Sequence, residues 1–308
     1  MKAIVVKEAG NIEDFVEKEV DKPKVNADDV LIEVHAVSIN PVDSAIRKGK
    51  MPFKLKSPMI LGTDISGVVS EVGENVSDFS IGDEVFTSYK VNRGGGLAEF
   101  VSIPEKYVIK KPEKVTFEEA SALGIAALTA YQLVNKELYQ VQEGETVFVQ
   151  GGSGGVGTYT VQFAKQNGAH VIATTSRNKE LLESLAVDQV VNYKEEDVPK
   201  AYVNKADMLI DTVGQGTETL PVVVEGGRAL TPATPISDDK AAERNITIDR
   251  ITYEINTDQL KNLVDQVARG DLKVVIDEVY PFIQDGVQKA YELSESGHAA
   301  GKIVIKVK

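Results

Sequence analysis

The sequence predicts an α/β protein in which a doubly wound parallel sheet is inserted into a β-barrel-type domain. Three observations predict it. The first third is a series of short apolar runs cut by turns, the middle alternates strand and helix signals, and the C-terminal end returns to strands. Short strands at turn-punctuated intervals belong to barrels and sandwiches, whereas strand–helix alternation belongs to parallel sheets.

Taken in order, residues 30–37, 65–73, 82–87 and 98–103 are the strands of the first unit, the last of them stopped by Pro104. The pattern changes at Phe117. There Thr116 is placed to N-cap a helix that carries Glu118 and Glu119 in its first turn. Strands follow at 146–150, 171–175, 189–192, 206–211 and 227–230, with helices at about 155–167 and 178–186 between them. Gly168 is the expected stop of the first of these helices. After a helix over 257–269, residues 274–279 and 303–307 read as strands that return to the first unit. The expected domains are 1–121 with 271–308, and 122–270.

Composition narrows the function classes. The chain has 308 residues and no cysteine, which excludes disulfides, thiolate nucleophiles and cysteine-held zinc. His35, His170 and His298 are scattered without ligand spacing. The net charge of −13 opposes binding of nucleic acid. Charged residues come too early for a signal peptide, and no apolar run approaches the roughly 18 residues of a membrane span, so a cytoplasmic protein is expected.

The strongest motif is the glycine loop over residues 151–157. Gly152, Gly154 and Gly157 make G-x-G-x-x-G between a strand and a helix. Without Cβ atoms the backbone can turn sharply and approach a pyrophosphate, and the helix start offers N–H groups and its positive dipole end. The next strand runs into Thr174, Thr175, Ser176 and Arg177, with no acid to bond a ribose 2′-hydroxyl. Arg177 and Ser176 suit a 2′-phosphate instead, so the expected cofactor is NADPH.

Further segments in chain order carry a family resemblance over nearly the whole length. They are Asn40, Pro41 and Asp43 with Arg47 and Gly49; residues 61–69; Gly73; residues 82–85 and 95–100; residues 128–131; the glycine loop; residues 191–193 and 211–214; and Gly301 with Lys302. In this order the chain resembles the zinc-independent quinone oxidoreductases of the medium-chain dehydrogenase/reductase superfamily.

The resemblance implies a GroES-like catalytic domain, an inserted Rossmann domain and a cleft between them. It implies that Asn40 and Thr129 lie at the nicotinamide end as orienting, catalytic groups. Gly154, Gly155, Val156 and Gly157 would hold the pyrophosphate, and Ser176, Arg177 and Tyr193 the adenosine phosphate. Val213, Gly214, Pro232 and Ala233 would follow Rossmann strands, and Lys302 would reach the cofactor from the last segment. A homodimer through the Rossmann sheet is implied, with residues 246–248 as the edge. Asp43 and Arg47 read as a pair holding the Asn40 loop, and Asp64 as an acceptor for loop N–H groups.

Two departures matter. Zinc-dependent relatives place cysteine at Asn40 and histidine and glutamate at Thr63 and Asp64, so no metal is expected here. Some quinone reductases carry tyrosines at Ala45 and Met51, so the substrate pocket differs. The expected activity is NADPH-dependent hydride transfer to a quinone or an α,β-unsaturated carbonyl, because without a Lewis acid only an activated acceptor serves. The alternatives are an enoyl-thioester reductase, using the basic run Arg47, Lys48, Lys50, Lys54 and Lys56, and a non-enzymatic NADPH-binding redox sensor.

Overall fold

The computed structural model describes residues 1–51, 57–89 and 94–308. In chain order, β1 (Lys2–Val6), β2 (Phe15–Glu19) and β3 (Asp29–Ile39) lead to α1 (Pro41–Arg47). Then come β4 (Met59–Ile60), β5 (Asp64–Val72), β6 (Glu84–Ser88), β7 (Phe100–Pro104), β8 (Val108–Lys110) and α2 (Phe117–Asn135). Alternation follows: β9 (Thr146–Gln150), α3 (Gly157–Gln166), β10 (His170–Thr175), α4 (Lys179–Ser184), β11 (Gln189–Asn192) and α5 (Val198–Ala201). It continues through β12 (Ala206–Asp211), α6 (Gly216–Thr219), β13 (Val223–Thr231), α7 (Asp238–Ala242) and β14 (Thr247–Arg250). The chain closes with α8 (Thr257–Arg269), β15 (Ile276–Pro281), α9 (Gln284–Ser296) and β16 (Lys302–Lys306).

The chain divides into two compact units, Met1–Ile125 with Ile255–Lys308, and Ala126–Glu254. The second unit therefore ends ahead of residue 270, where the sequence pattern places its boundary. The cause is α8, which packs against β8 of the first unit.

The first unit is built on a sheet in the order β15-β16-β3-β5-β6-β8, with β7 also on β3, and a smaller sheet β2-β1-β4. Ile4, Val30, Ile32, Val37, Ile65, Val287, Tyr291 and Ile305 share its core. The returning strand β16 runs antiparallel to β3, with Ile303 opposite Ile39. That register brings Lys302 to Asn40. Helix α9 is absent from the sequence reading. It buries Val287, Ala290 and Tyr291 along one face and comes so close to β15 that a Cβ on Gly286 would lie 2.2 Å from the Pro281 carbonyl oxygen.

The second unit is a wholly parallel sheet in the order β11-β10-β9-β12-β13-β14. Its strands run outward in both directions from β9, so the reversal lies between β9 and β12. Phe148, Ile172, Leu209, Val223 and Ala229 are among its buried core residues. Among the described residues no helix is long and apolar enough to cross a membrane.

Candidate functional site

Parallel strands put all their carboxyl ends on one edge of a sheet, where ligands of such folds sit. The glycine loop follows β9, Ser176 and Arg177 follow β10, and Tyr193 follows β11. Val213 and Gly214 follow β12, and Pro232 and Ala233 follow β13. All of these residues from the sequence reading therefore share the edge where the strand order reverses. Thr129 lies on α2 and is buried.

The loop is held by β10. Gly151, at a φ of +77°, donates its N–H to Thr174 Oγ1 at 2.9 Å, and Gly152 donates to the Thr174 carbonyl at 3.0 Å. A Cβ on Gly157 would lie 2.0 Å from the Gly151 carbonyl oxygen, so only glycine lets the loop fold onto the helix start. Gly154 is different: a Cβ there would touch the Gly151 carbonyl oxygen at 3.4 Å, an ordinary contact and not a clash. Helix α3 starts at Gly157 without a side-chain cap. In its first turn the Thr158 N–H goes to the Gly154 carbonyl at 2.9 Å and the Thr160 N–H to the Val156 carbonyl at 3.0 Å, and the glycine turn ahead of them is the surface that fits a pyrophosphate.

Thr175, Ser153, Asn178 and Asp211 support this edge, a role that the sequence reading did not give them. Thr175 Oγ1 accepts the Asn178 N–H at 3.1 Å and lies 3.0 Å from Ser153 Oγ. Buried Asp211 accepts the N–H groups of Val213 and Gly214 at 3.0 Å each through Oδ1, and that of Gly216 at 2.7 Å through Oδ2. An acid that ends a buried strand ahead of a glycine-containing turn was the available signal.

The other cluster lies in the first unit around Asn40. Asn40 precedes α1, and Pro41 starts the helix with a preset φ. The Asp43 carboxylate accepts the Asn40 N–H at 2.9 Å, but the Asn40 side chain does not cap the helix. It turns to Lys302 and Asp64. Lys302 Nζ donates to Asn40 Oδ1 at 2.6 Å and to the Ile39 carbonyl at 3.0 Å. Asn40 Nδ2 donates to Asp64 Oδ2 at 2.8 Å and lies 3.4 Å from Thr63 Oγ1. Asp64 also accepts from Ser88 Oγ at 2.7 Å and from the Ile125 N–H at 2.9 Å. That N–H is available because α2 loses helical geometry at Gly124, where a Cβ would lie 2.0 Å from the Asp64 carboxyl carbon.

Arg47 does not hydrogen-bond Asp43 as the sequence reading expects. Its guanidinium goes to Glu295 at 2.5 Å and to the Gly10 carbonyl, because α9 presents Glu295 to α1. Burial pushes the Asp43 carboxyl up to about 7, against the pull of the Asn40 N–H. Burial also raises Asp64 and lowers Lys302, while the attraction between these two opposes both shifts.

The alcohol dehydrogenase GroES-like domain family matches residues 26–113, and the zinc-binding dehydrogenase family matches residues 185–305. A 2-methylene-furan-3-one reductase of Solanum lycopersicum is 36% identical over 305 residues, covering 94% of this chain and 74% of the relative. An Arabidopsis thaliana chloroplastic NADPH-dependent alkenal/one oxidoreductase is 33% identical over 319 residues, covering 99% of this chain and 79% of its own. The Escherichia coli quinone oxidoreductase solved with NADPH superposes with a TM-score of 0.88 at 26% identity, covering 100% of both chains. This chain belongs to the quinone oxidoreductase family of the medium-chain dehydrogenase/reductase superfamily.

In this family member the corner at Asn40, Thr63 and Asp64 does not suit zinc, which takes thiolate, imidazole and carboxylate ligands. An amide, a hydroxyl and one carboxylate stand there, and the amide oxygen is taken by a protein cation. Among the described residues no three acidic, histidine or cysteine side chains gather as metal ligands. Of the basic run expected to serve a thioester, Lys48 pairs with Glu295 at 2.6 Å, and Lys54 and Lys56 lie outside the described residues.

Proposed function

We propose that this quinone oxidoreductase family member transfers a hydride from NADPH to a quinone or an α,β-unsaturated carbonyl, with no metal in the step. The observation that carries the reading is the glycine loop at the reversal of strand order, with Ser176 and Arg177 after β10 where an NAD-preferring site keeps an acid. A guanidinium is the natural partner of a 2′-phosphate. Two relatives point the same way: one is named as NADPH-dependent, and the other was solved with NADPH.

When bound, NADPH supplies the hydride. In this reading Gly154, Gly155, Val156 and Gly157 hold the pyrophosphate, and Ser176, Arg177 and Tyr193 hold the adenosine phosphate. Val213, Gly214, Pro232 and Ala233 line the strand ends beside them. Asn40 and Thr129 orient the nicotinamide end and the acceptor. Hydride adds to the electron-poor carbon, negative charge gathers on the carbonyl oxygen, and a proton from solvent completes the reduction. The chain's work is positioning and exclusion of water.

The test is a panel of soluble quinones and alkenals followed by NADPH absorbance, beside NADH and beside ethanol with NADP. Turnover with the activated acceptors, faster with NADPH than with NADH, is the expected result. Silence across the panel would overturn the reading. A homodimer joined along β14, one of the two edge strands of the parallel sheet, and a cytoplasmic location complete it. Sedimentation of wild type against an Ile248→Lys variant, and cell fractionation, test these two.

A further inference from the structure

An asparagine amide has one acceptor oxygen and two N–H donors, and a 180° flip exchanges them. In Asn40 the flip is decided by two charges of opposite sign. Lys302 can only donate, and it holds the oxygen at 2.6 Å. The Asp64 carboxylate, which accepts, takes one N–H at 2.8 Å. In the reverse orientation the amide N–H groups would face an ammonium and the amide oxygen a carboxylate. All three side chains are buried: Asn40 is 1% exposed, Asp64 0% and Lys302 3%. Water therefore does not replace either partner.

This leaves one group only loosely engaged. The second N–H of Asn40 has Thr63 Oγ1 at 3.4 Å, longer than a good hydrogen bond. The oxygen end is turned to the Lys302 ammonium, which takes one of its two lone pairs. The group that Asn40 can still offer a ligand at full strength is a donor.

We infer that Lys302 and Asp64 are positioning residues that lock the Asn40 amide as a donor, so that the ligand atom it engages is a carbonyl oxygen. Lys302 acts through Asn40 and not by touching the cofactor. The inference rests on the reading above that Asn40 meets the ligand. The carbonyl oxygen belongs either to the acceptor substrate or to the nicotinamide carboxamide, and binding measurements separate the two.

The experiment is a double-mutant cycle on the intact protein with Lys302→Met, Asn40→Ala and their combination. Lys302→Met is expected to lower kcat/KM by about tenfold or more in the wild-type background and by less than about twofold in the Asn40→Ala background. Equal losses in both backgrounds overturn the lock. If the oxygen is the substrate's, the Kd for NADPH stays within about twofold in the single variants while turnover falls; if it is the carboxamide's, Kd rises with the loss of turnover.

Should Lys302→Met fail to fold, the wild-type protein carries the test by nitrogen-15 NMR of the Asn40 side chain. The N–H on Asp64 is expected to exchange more slowly than the other, and the other to slow when NADPH or a soluble quinone is added. Equal exchange rates for the two N–H groups overturn the inference. A wild-type protein without NADPH binding or turnover removes the proposed function instead, and the amide exchange still judges the lock.

Discussion

The Lys302 ammonium and the Asp64 carboxylate are held on opposite ends of one buried amide, that of Asn40, at 2.6 Å and 2.8 Å. Neither charge is reached by bulk water, so each depends on the other and on the hydrogen bonds around it. Removing one partner strands the other. Asp64→Ala leaves the ammonium with only the more weakly coupled Asp43 as a counter-charge and also orphans the donors from Asn40, Ser88 and Ile125. A loss of about 3–5 kcal/mol of unfolding free energy is expected from urea denaturation. Replacing both charges together, Asp64→Asn with Lys302→Met, should cost less than Asp64→Ala alone. A double variant as unstable as the single one would show that the two charges do not compensate each other.

Gly154 and Gly157 separate what the loop needs for itself from what it needs for a ligand. A Cβ at 157 strikes the Gly151 carbonyl oxygen at 2.0 Å, whereas one at 154 finds its nearest atom at 3.4 Å. Gly154→Ala should therefore leave the melting temperature within about 2 °C of wild type, as a surface substitution does. If a pyrophosphate lies against that turn, the same methyl should raise the Kd for NADPH by about tenfold or more. Gly157→Ala should lower both stability and affinity. Unchanged NADPH affinity in Gly154→Ala would move the phosphates away from this loop.

Much of this architecture could be read from sequence because it is local. The turn after β9, the absence of an acid after β10, and the stop at Gly168 each involve neighbours along the chain. So does Thr116, whose Oγ1 accepts the Glu119 N–H at 3.1 Å as a helix cap should. The lock on Asn40 could not be read this way. Lys302 reaches it from 262 residues away, through the pairing of β16 with β3, and a lone lysine near a chain end looks like any solvated one. Helix α9 is disguised by Gly286, a poor helix former whose use appears only once the Pro281 carbonyl is seen against it. Glu295 arrives on that same helix, which is why Arg47 pairs with Glu295 and not with Asp43.

Arg177 follows β10 at the exposed edge of the parallel sheet. If it faces a 2′-phosphate, Arg177→Ala should raise the KM for NADPH by about tenfold, the worth of one charge-assisted contact, while the KM for NADH stays within about twofold. Steady-state kinetics with both cofactors measures this. Equal effects on the two would mean that Arg177 does not read the phosphate.

Asp43 makes stability depend on pH in a direction opposite to that of an ordinary salt-bridged carboxylate. Its pKa rises from 3.8 to about 7 on folding, chiefly because the side chain is buried. Between these values the native state keeps a proton that the unfolded chain releases, so unfolding free energy falls as pH rises. The stabilising contribution is complete below the lower value, is lost across the interval, and is gone once the pH passes about 7. Asp64 and Lys302 are near enough to influence Asp43, and Tyr291 feels its charge. Those neighbours stay in place in Asp43→Asn, whose amide oxygen can still accept the Asn40 N–H. Between pH 5 and pH 8 the variant should therefore gain on wild type by roughly 4 °C in melting temperature. Melting curves of the two proteins that run parallel over this range would show that Asp43 is already ionised in the fold at pH 5.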